Sequence, residues 1–267
     1  MEIGASTGVL QHEPLGMGVL NTMKSNGLTI LELSDSHVGF DYADQAALAE
    51  LKAGVEQLGL RVQTLHAHLL YHDPACQLTA ATPAAREHLL TKYYQAIDVF
   101  ATLGGGIMVT HDHGIPDVAA AGHEAALETL IENLEAITRY AAAREVRIAV
   151  ENLTNGYFSD PAHLVALVED VDLANIGICI DTGHRNLHGD VATALRLVDK
   201  HLFTLHIHDN HGDHDAHLLP MRGTINWPTV LQALADIHYP GVFMYELLRP
   251  EDLPLVWKNF AQLGQGR

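Results

Sequence analysis

Basic residues are scarce: 15 Lys and Arg stand against 33 Asp and Glu, a formal charge of −18 with the histidines neutral. Proteins that grip duplex nucleic acid neutralise phosphates with clustered cations. No basic run occurs anywhere in this chain, so that class is excluded. Cysteine is scarcer still. Cys76 and Cys179 allow one bridge at most, and their spacing suggests neither a disulfide framework nor a zinc knuckle. The apolar stretches, such as that over 105–109, are broken well before the roughly 18 residues a membrane span needs. Residues 1–4 carry neither the basic nor the apolar region of a secretory signal. A soluble protein in a reducing cytoplasm, without a membrane partner, is expected. What is there is a chain of 267 residues, 48% of them hydrophobic, ample for a buried core. It has one excess, 19 histidines, which makes metal chemistry the first thing to test.

Strand-like runs fall at 2–5, 28–33, 61–65, 107–110, 146–151, 176–181, 203–206 and 242–246. Between them lie helix-like segments, clearest at 44–58, 83–103, 124–143, 161–168, 191–201 and 227–238. Ser159-Asp160-Pro161 and Asn226-Trp227-Pro228 place a capping residue at a proline-marked helix start. Most strands are continuous apolar runs, as in a parallel sheet covered on its outer face. Eight strand–helix units in this length predict a single (β/α)8 TIM barrel over residues 1–267, with no linker or repeat. The rival, a doubly wound sheet, needs a glycine-rich turn after an early strand, and Ser6-Thr7-Gly8-Val9 does not provide it.

The strand ends carry the chemistry. They read His66 and His68, His111 and His113, Glu151, Asp181 and His184, His206 and Asp209, and Glu246. In a barrel these positions converge on one face. Glu151, Asp181 and Glu246 each terminate a largely apolar strand, and three carboxylates at one mouth repel unless a cation stands among them. With His206 they form an oxygen and nitrogen set suited to Mn²⁺, Mg²⁺, Co²⁺ or Zn²⁺. A lone strand-end carboxylate often only caps a helix, but four such residues together are hard to explain that way. His37, His88, His123, His201 and His238 are read as surface or core residues, while His72, His188 and His211 are ambiguous. The stretch 206–217 is too dense in ligand-type groups for a plain solvated loop. Phe40 and Tyr42 could form an apolar wall for a sugar ring. Ser34-Asp35-Ser36-His37 lacks the setting of a nucleophilic triad, and Gly104-Gly105-Gly106 precedes a strand, as a helix stop does.

Four segments together resemble the xylose isomerase-like TIM-barrel superfamily of sugar isomerases, epimerases and apurinic/apyrimidinic endonucleases. They are Val150-Glu151-Asn152, Ile180-Asp181-Thr182-Gly183-His184, His206-Ile207-His208-Asp209-Asn210, and Asp215-Ala216-His217-Leu218-Leu219-Pro220 leading to Gly223 and Trp227. In the isomerase branch the resemblance implies one metal on Glu151, Asp181, His206 and Glu246. The two glutamates also move protons at a carbon next to a carbonyl, and His184 touches substrate. In the endonuclease branch it implies three zinc ions on His66, His111, Glu151, Asp181, His184, His206, Asp215, His217 and Glu246. Met221-Arg222-Gly223 departs from the glycine-x-glycine that relatives often carry, and places Arg222 near the site as a candidate contact for an anionic or phosphorylated ligand. His68 is a further candidate substrate contact. The strand-end loops offer mainly Arg185, Arg222 and Arg249, too few to hold a duplex.

The expectation is therefore a metal-dependent isomerase or epimerase of a small carbohydrate or similar polyhydroxy carbonyl compound, with one to three ions bound. A multi-zinc phosphoesterase and a non-catalytic sugar-binding barrel are the alternatives. A homo-oligomer stays open.

Overall fold

The computed structural model describes residues 1–111, 115–116, 118 and 120–265. Eight strands, β1 (Glu2–Ser6), β2 (Ile30–Ser34), β3 (Arg61–His66), β4 (Ile107–Thr110), β5 (Arg147–Glu151), β6 (Ile176–Asp181), β7 (Leu202–His206) and β8 (Val242–Tyr245), pair in parallel in the order β7-β6-β5-β4-β3-β2-β1-β8. The two ends of that sheet meet just beyond β7. Ile207 bridges Tyr245 of β8, with its amide 2.8 Å from the Met244 carbonyl and its carbonyl 3.1 Å from the Glu246 amide. The result is the single (β/α)8 TIM barrel that the alternation predicts.

The strands are wrapped by α1 (Met17–Ser25), α2 (Gln45–Gln57), α3 (Leu69–His72), α4 (Pro83–Thr102), α5 (His123–Ala142), α6 (Pro161–Val171), α7 (Thr182–Asn186), α8 (Val191–Val198), α9 (Trp227–Asp236) and α10 (Val256–Gln265). Their starts follow from local chemistry. Asp160 accepts from the Ala162 amide and Asn226 from the Thr229 amide, each at a helix with proline in its first turn. The segment expected to be helical to His201 ends at Val198, where Asp199 takes φ +39° and a short 3₁₀ turn follows. Of the helices that periodicity does not reveal, α3 and α7 are single turns of four and five residues, too short to show a period. No helix among the described residues is long and apolar enough to cross a membrane.

Side chains alternate across each strand. Leu31, Leu33, Leu65, Ile148, Val150, Ile178, Ile180, Phe243 and Tyr245 join the large core between sheet and helices, whereas Ile107, Val109, Ala149 and Cys179 form a separate small cluster. Two bulges break the alternation. Leu31 pairs with Val62 but Glu32 with Thr64, and Ile178 pairs with Leu202 but Cys179 with Thr204. The extra residues, Gln63 and Phe203, reset the parity of β3 and β7. Leu65 and Leu205 therefore face the outer core, and His66 and His206 face inward. Both cysteines are free and buried.

Candidate active site at the strand ends

A cavity of about 490 Å³ opens at the C-terminal ends of the strands, where barrel sites form. Ser6, Gln11, Ser34, Ser36, His66, His68, His72, His111, Glu151, His184, His217 and Glu246 line it, with Tyr71, Leu247 and Leu248.

Its floor is a compact set of acids and imidazoles. His66 Nε2 is 3.1 Å from Glu151 Oε2 and its Nδ1 is 3.1 Å from Glu246 Oε1. His206 Nδ1 is 3.1 Å from Glu151 Oε1 and 3.5 Å from Glu246 Oε2. Both rings therefore face both glutamates. Burial pushes the His66 imidazolium down, but Glu151 and Glu246 more than reverse this and hold it up to about 10. Burial likewise raises the two glutamates, and the facing imidazoles bring Glu151 and Glu246 well below the usual carboxylate range.

A second group lies beside the first. Asp181, at the end of β6, caps α7 through the His184 amide (2.7 Å) and accepts from His208 Nε2 (2.8 Å). His184 donates from Nδ1 to the Asn152 carbonyl, and His217 donates from Nδ1 to the Glu246 carbonyl. Both rings thereby turn Nε2 toward the same Asp215 oxygen, at 3.2 and 3.0 Å. His208 stacks on His217 with ring centroids 3.8 Å apart. Its ring fills the space where a Cβ on Gly183 would come within 1.9 Å, so only glycine fits there. His217 itself sits at φ +44°, in the left-handed region, where a non-glycine residue is uncommon.

The loop that carries Asp215 and His217 is fastened by Asp209. Its buried carboxylate accepts from the amides of Asn210, Ile225 and Met221 and from Trp227 Nε1, at 2.8–3.2 Å. Asp209 is thus an organiser of the loop, not a lining residue. Asp209→Ala strands four donors, and a loss of about 3 kcal/mol or more is expected in chemical denaturation. Asp209→Asn keeps an acceptor for one pair of these donors but sets its NH2 against the other pair, so it too should lose stability, though less than the alanine variant.

Most of the residues expected from sequence reach the cavity: His66, His68, His111, Glu151, His184, His217 and Glu246 line it. Asp181, His206 and Asp215 lie directly behind that lining, within 2.7–3.2 Å of it. Arg222 does not reach it. Its guanidinium pairs with the buried Asp252 at 2.7 Å and lines a separate surface depression with Leu219, Pro220 and Met221. Phe40 and Tyr42 meet edge to face and pack on the core, so they do not wall the cavity. Tyr42 donates instead to Asp35 at 2.9 Å. His113 lies outside the described residues.

Four site residues escape the strand-end criterion. Glu32 lies inside β2 and accepts from His206 Nε2 (2.9 Å) and Thr64 Oγ1 (2.9 Å). Asp35, fully buried, accepts from the amide and Nδ1 of His68. Asn152 and His208 both bond Asp181. A charge inside the apolar run Ile30-Leu31-Glu32-Leu33 is the same signal that singles out Glu151, and it could have revealed Glu32.

The donor set fits a divalent cation. Glu151 Oε1 and Oε2 and His206 Nδ1 are buried without a hydrogen bond, although they face one another across about 3 Å. Ligand-type atoms of Glu32, His66, His206 and Glu246 lie within 4.8 Å of one another, as do those of His184, His208, Asp215 and His217. Close-set donor atoms of this kind, facing one another without a well-directed hydrogen bond, are groups that a bound cation would satisfy.

The family model for the xylose isomerase-like TIM barrel matches residues 20–262, and the chain belongs to that family. An uncharacterized protein of Methanocaldococcus jannaschii, MJ1311, is 31% identical over 67% of this chain, which spans 64% of that relative's length. The D-psicose 3-epimerase of Ruminiclostridium cellulolyticum is 28% identical over 82% of this chain and 74% of its own. Among solved structures, a D-tagatose 3-epimerase-like protein superposes with TM-score 0.86 at 23% identity, covering 99% of this chain and 97% of that one. An IOLI protein with a bound zinc atom superposes with TM-score 0.82 at 18% identity, covering 100% and 99%.

Proposed function

We propose that this protein is a divalent-metal-dependent epimerase or isomerase of a small, unphosphorylated sugar or related polyhydroxy carbonyl compound. One observation carries the reading: Glu151 and Glu246 approach the same two imidazoles from opposite sides at the floor of one cavity. Glu151, His206 and Glu246, with Asp181 beside them, would hold the cation. When bound, it polarises the substrate's carbonyl and neighbouring hydroxyl oxygens and so acidifies the carbon between them. One glutamate then takes that carbon's proton and the other returns a proton, on the opposite face for an epimerisation. Ser6, Ser34, Ser36 and Gln11 give the upper wall hydroxyl and amide groups that match a polyol. Among the described residues no Lys or Arg lines the cavity, which favours an uncharged sugar over a phosphorylated one. The similarity to curated D-psicose 3-epimerases supports a ketose.

The second reading, a multi-zinc phosphoesterase, is favoured by the further ligand groups His184, His208, Asp215 and His217 and His66, His68 and His111. Ion analysis with turnover in heavy water separates the two. One exchangeable Mn²⁺, Mg²⁺, Co²⁺ or Zn²⁺ ion per chain, with deuterium entering free ketoses beside the carbonyl, is the expected result. Three tightly held zinc ions with phosphodiester cleavage and no label in any sugar would sink the epimerase reading.

A further inference from the structure

We propose that Glu32 is the positioning residue of the site: it fixes the ring of His206 so that Nδ1 presents its lone pair to the cation. The role rests on the metal-dependent reading above. Glu32 is wholly buried in the middle of β2, and its ion pairs among the described residues are with imidazoles alone, His206 at 2.9 Å and His66 at 3.8 Å. A carboxylate in such a place costs several kcal/mol of desolvation, and a methionine or leucine would fill the space without it. The structure gives it specific work. Its Oε2 accepts from both His206 Nε2 and Thr64 Oγ1, each at 2.9 Å.

The bulge at Gln63 makes this possible, because it brings Thr64 opposite Glu32 and turns it toward the barrel interior. An ionised carboxylate only accepts, so Nε2 of His206 must carry the hydrogen. The other nitrogen, Nδ1, then faces Glu151 at 3.1 Å and Glu246 at 3.5 Å with no hydrogen-bond partner of its own. Partners of this kind set the tautomer and aim of a metal-binding imidazole, and their loss weakens metal affinity about 10- to 100-fold.

The test is the affinity of the full chain for Mn²⁺ and Zn²⁺ by chelator competition, with the His206 tautomer read by ¹⁵N NMR on the zinc-loaded protein. Glu32→Ala is expected to bind either ion about 10- to 100-fold more weakly. Glu32→Gln retains an acceptor oxygen, so it should keep the wild-type tautomer and recover most of the affinity. A Glu32→Ala protein that is folded and binds within twofold of wild type overturns the proposal. So does a zinc-loaded wild-type protein whose His206 carries its proton on Nδ1; that spectrum decides the matter if the Ala variant fails to fold. Wild-type chain that binds no divalent cation removes both this role and the epimerase reading. Chain that loses affinity with Glu32→Ala yet turns over no sugar keeps the role and removes only the reading.

Discussion

Glu246→Gln is expected to leave a folded barrel that turns over about 10²–10⁴-fold more slowly. Glutamine matches glutamate in shape, and its amide oxygen can still accept from His66 Nδ1, the bond that Glu246 Oε1 makes at 3.1 Å. What it cannot do is take up a proton from carbon. The Glu246 backbone, which receives Nδ1–H of His217 and closes on Ile207, is untouched by the change. Far-UV circular dichroism should therefore stay close to wild type while kcat collapses, and the melting temperature should fall by the lost pairing of Glu246 with His66 and His206. The variant's ion content separates the two ways of failing. Loss of the rate with the cation still bound identifies a missing base, whereas loss of both points to a ligand role alone. Retention of more than about a tenth of the wild-type rate takes Glu246 out of proton transfer.

Removing the cation should abolish turnover and reverse how stability responds to pH. In the metal-free chain, His66 is held up to about 10 and His217 to about 9. A raised histidine contributes stability that is complete below its ordinary value near 6.5 and is lost as pH climbs through the raised one. Glu151 and Glu246 are depressed, so their contribution is present above about 4.5 and lost as pH falls through the folded values. Metal-free protein should therefore melt highest between about pH 4.5 and 6.5 and soften toward pH 10. A cation among these groups displaces imidazole protons, so its binding should release about one or two protons near pH 7.5. Its affinity should then rise about tenfold per pH unit for each proton released. Calorimetry in buffers of differing ionisation enthalpy counts those protons. No proton release, with unchanged affinity between pH 6 and 9, would contradict the arrangement.

The barrel was legible because burial leaves a periodic trace: eight apolar runs separated by amphipathic segments admit few other architectures. The first ring of the site was legible for a related reason, since Glu151, Asp181 and Glu246 each end an apolar run where water is scarce. The second ring was not. Glu32 and Asp35 act through imidazoles more than 30 residues away, His206 and His68, and only the folded chain shows those pairs. The strand parity was also hidden, because one extra residue at Gln63 or Phe203 looks like any other position in a linear string. Arg222 shows the opposite error. Its place in the segment where relatives often carry glycine-x-glycine put it beside the cavity, but its pairing with Asp252 holds it away from there.

The bridge between Ile207 and Tyr245 joins the two free edges of the sheet, and His206 and Glu246 flank it. An ion shared by those two side chains would act as a clasp across the joint that closes the barrel. Occupancy and closure are then thermodynamically linked, and each tenfold excess of free ion over its dissociation constant would tighten that joint by about 1.4 kcal/mol. Depletion of the ion should show itself first as faster amide exchange at Ile207 and Glu246, before the opposite side of the cylinder loosens.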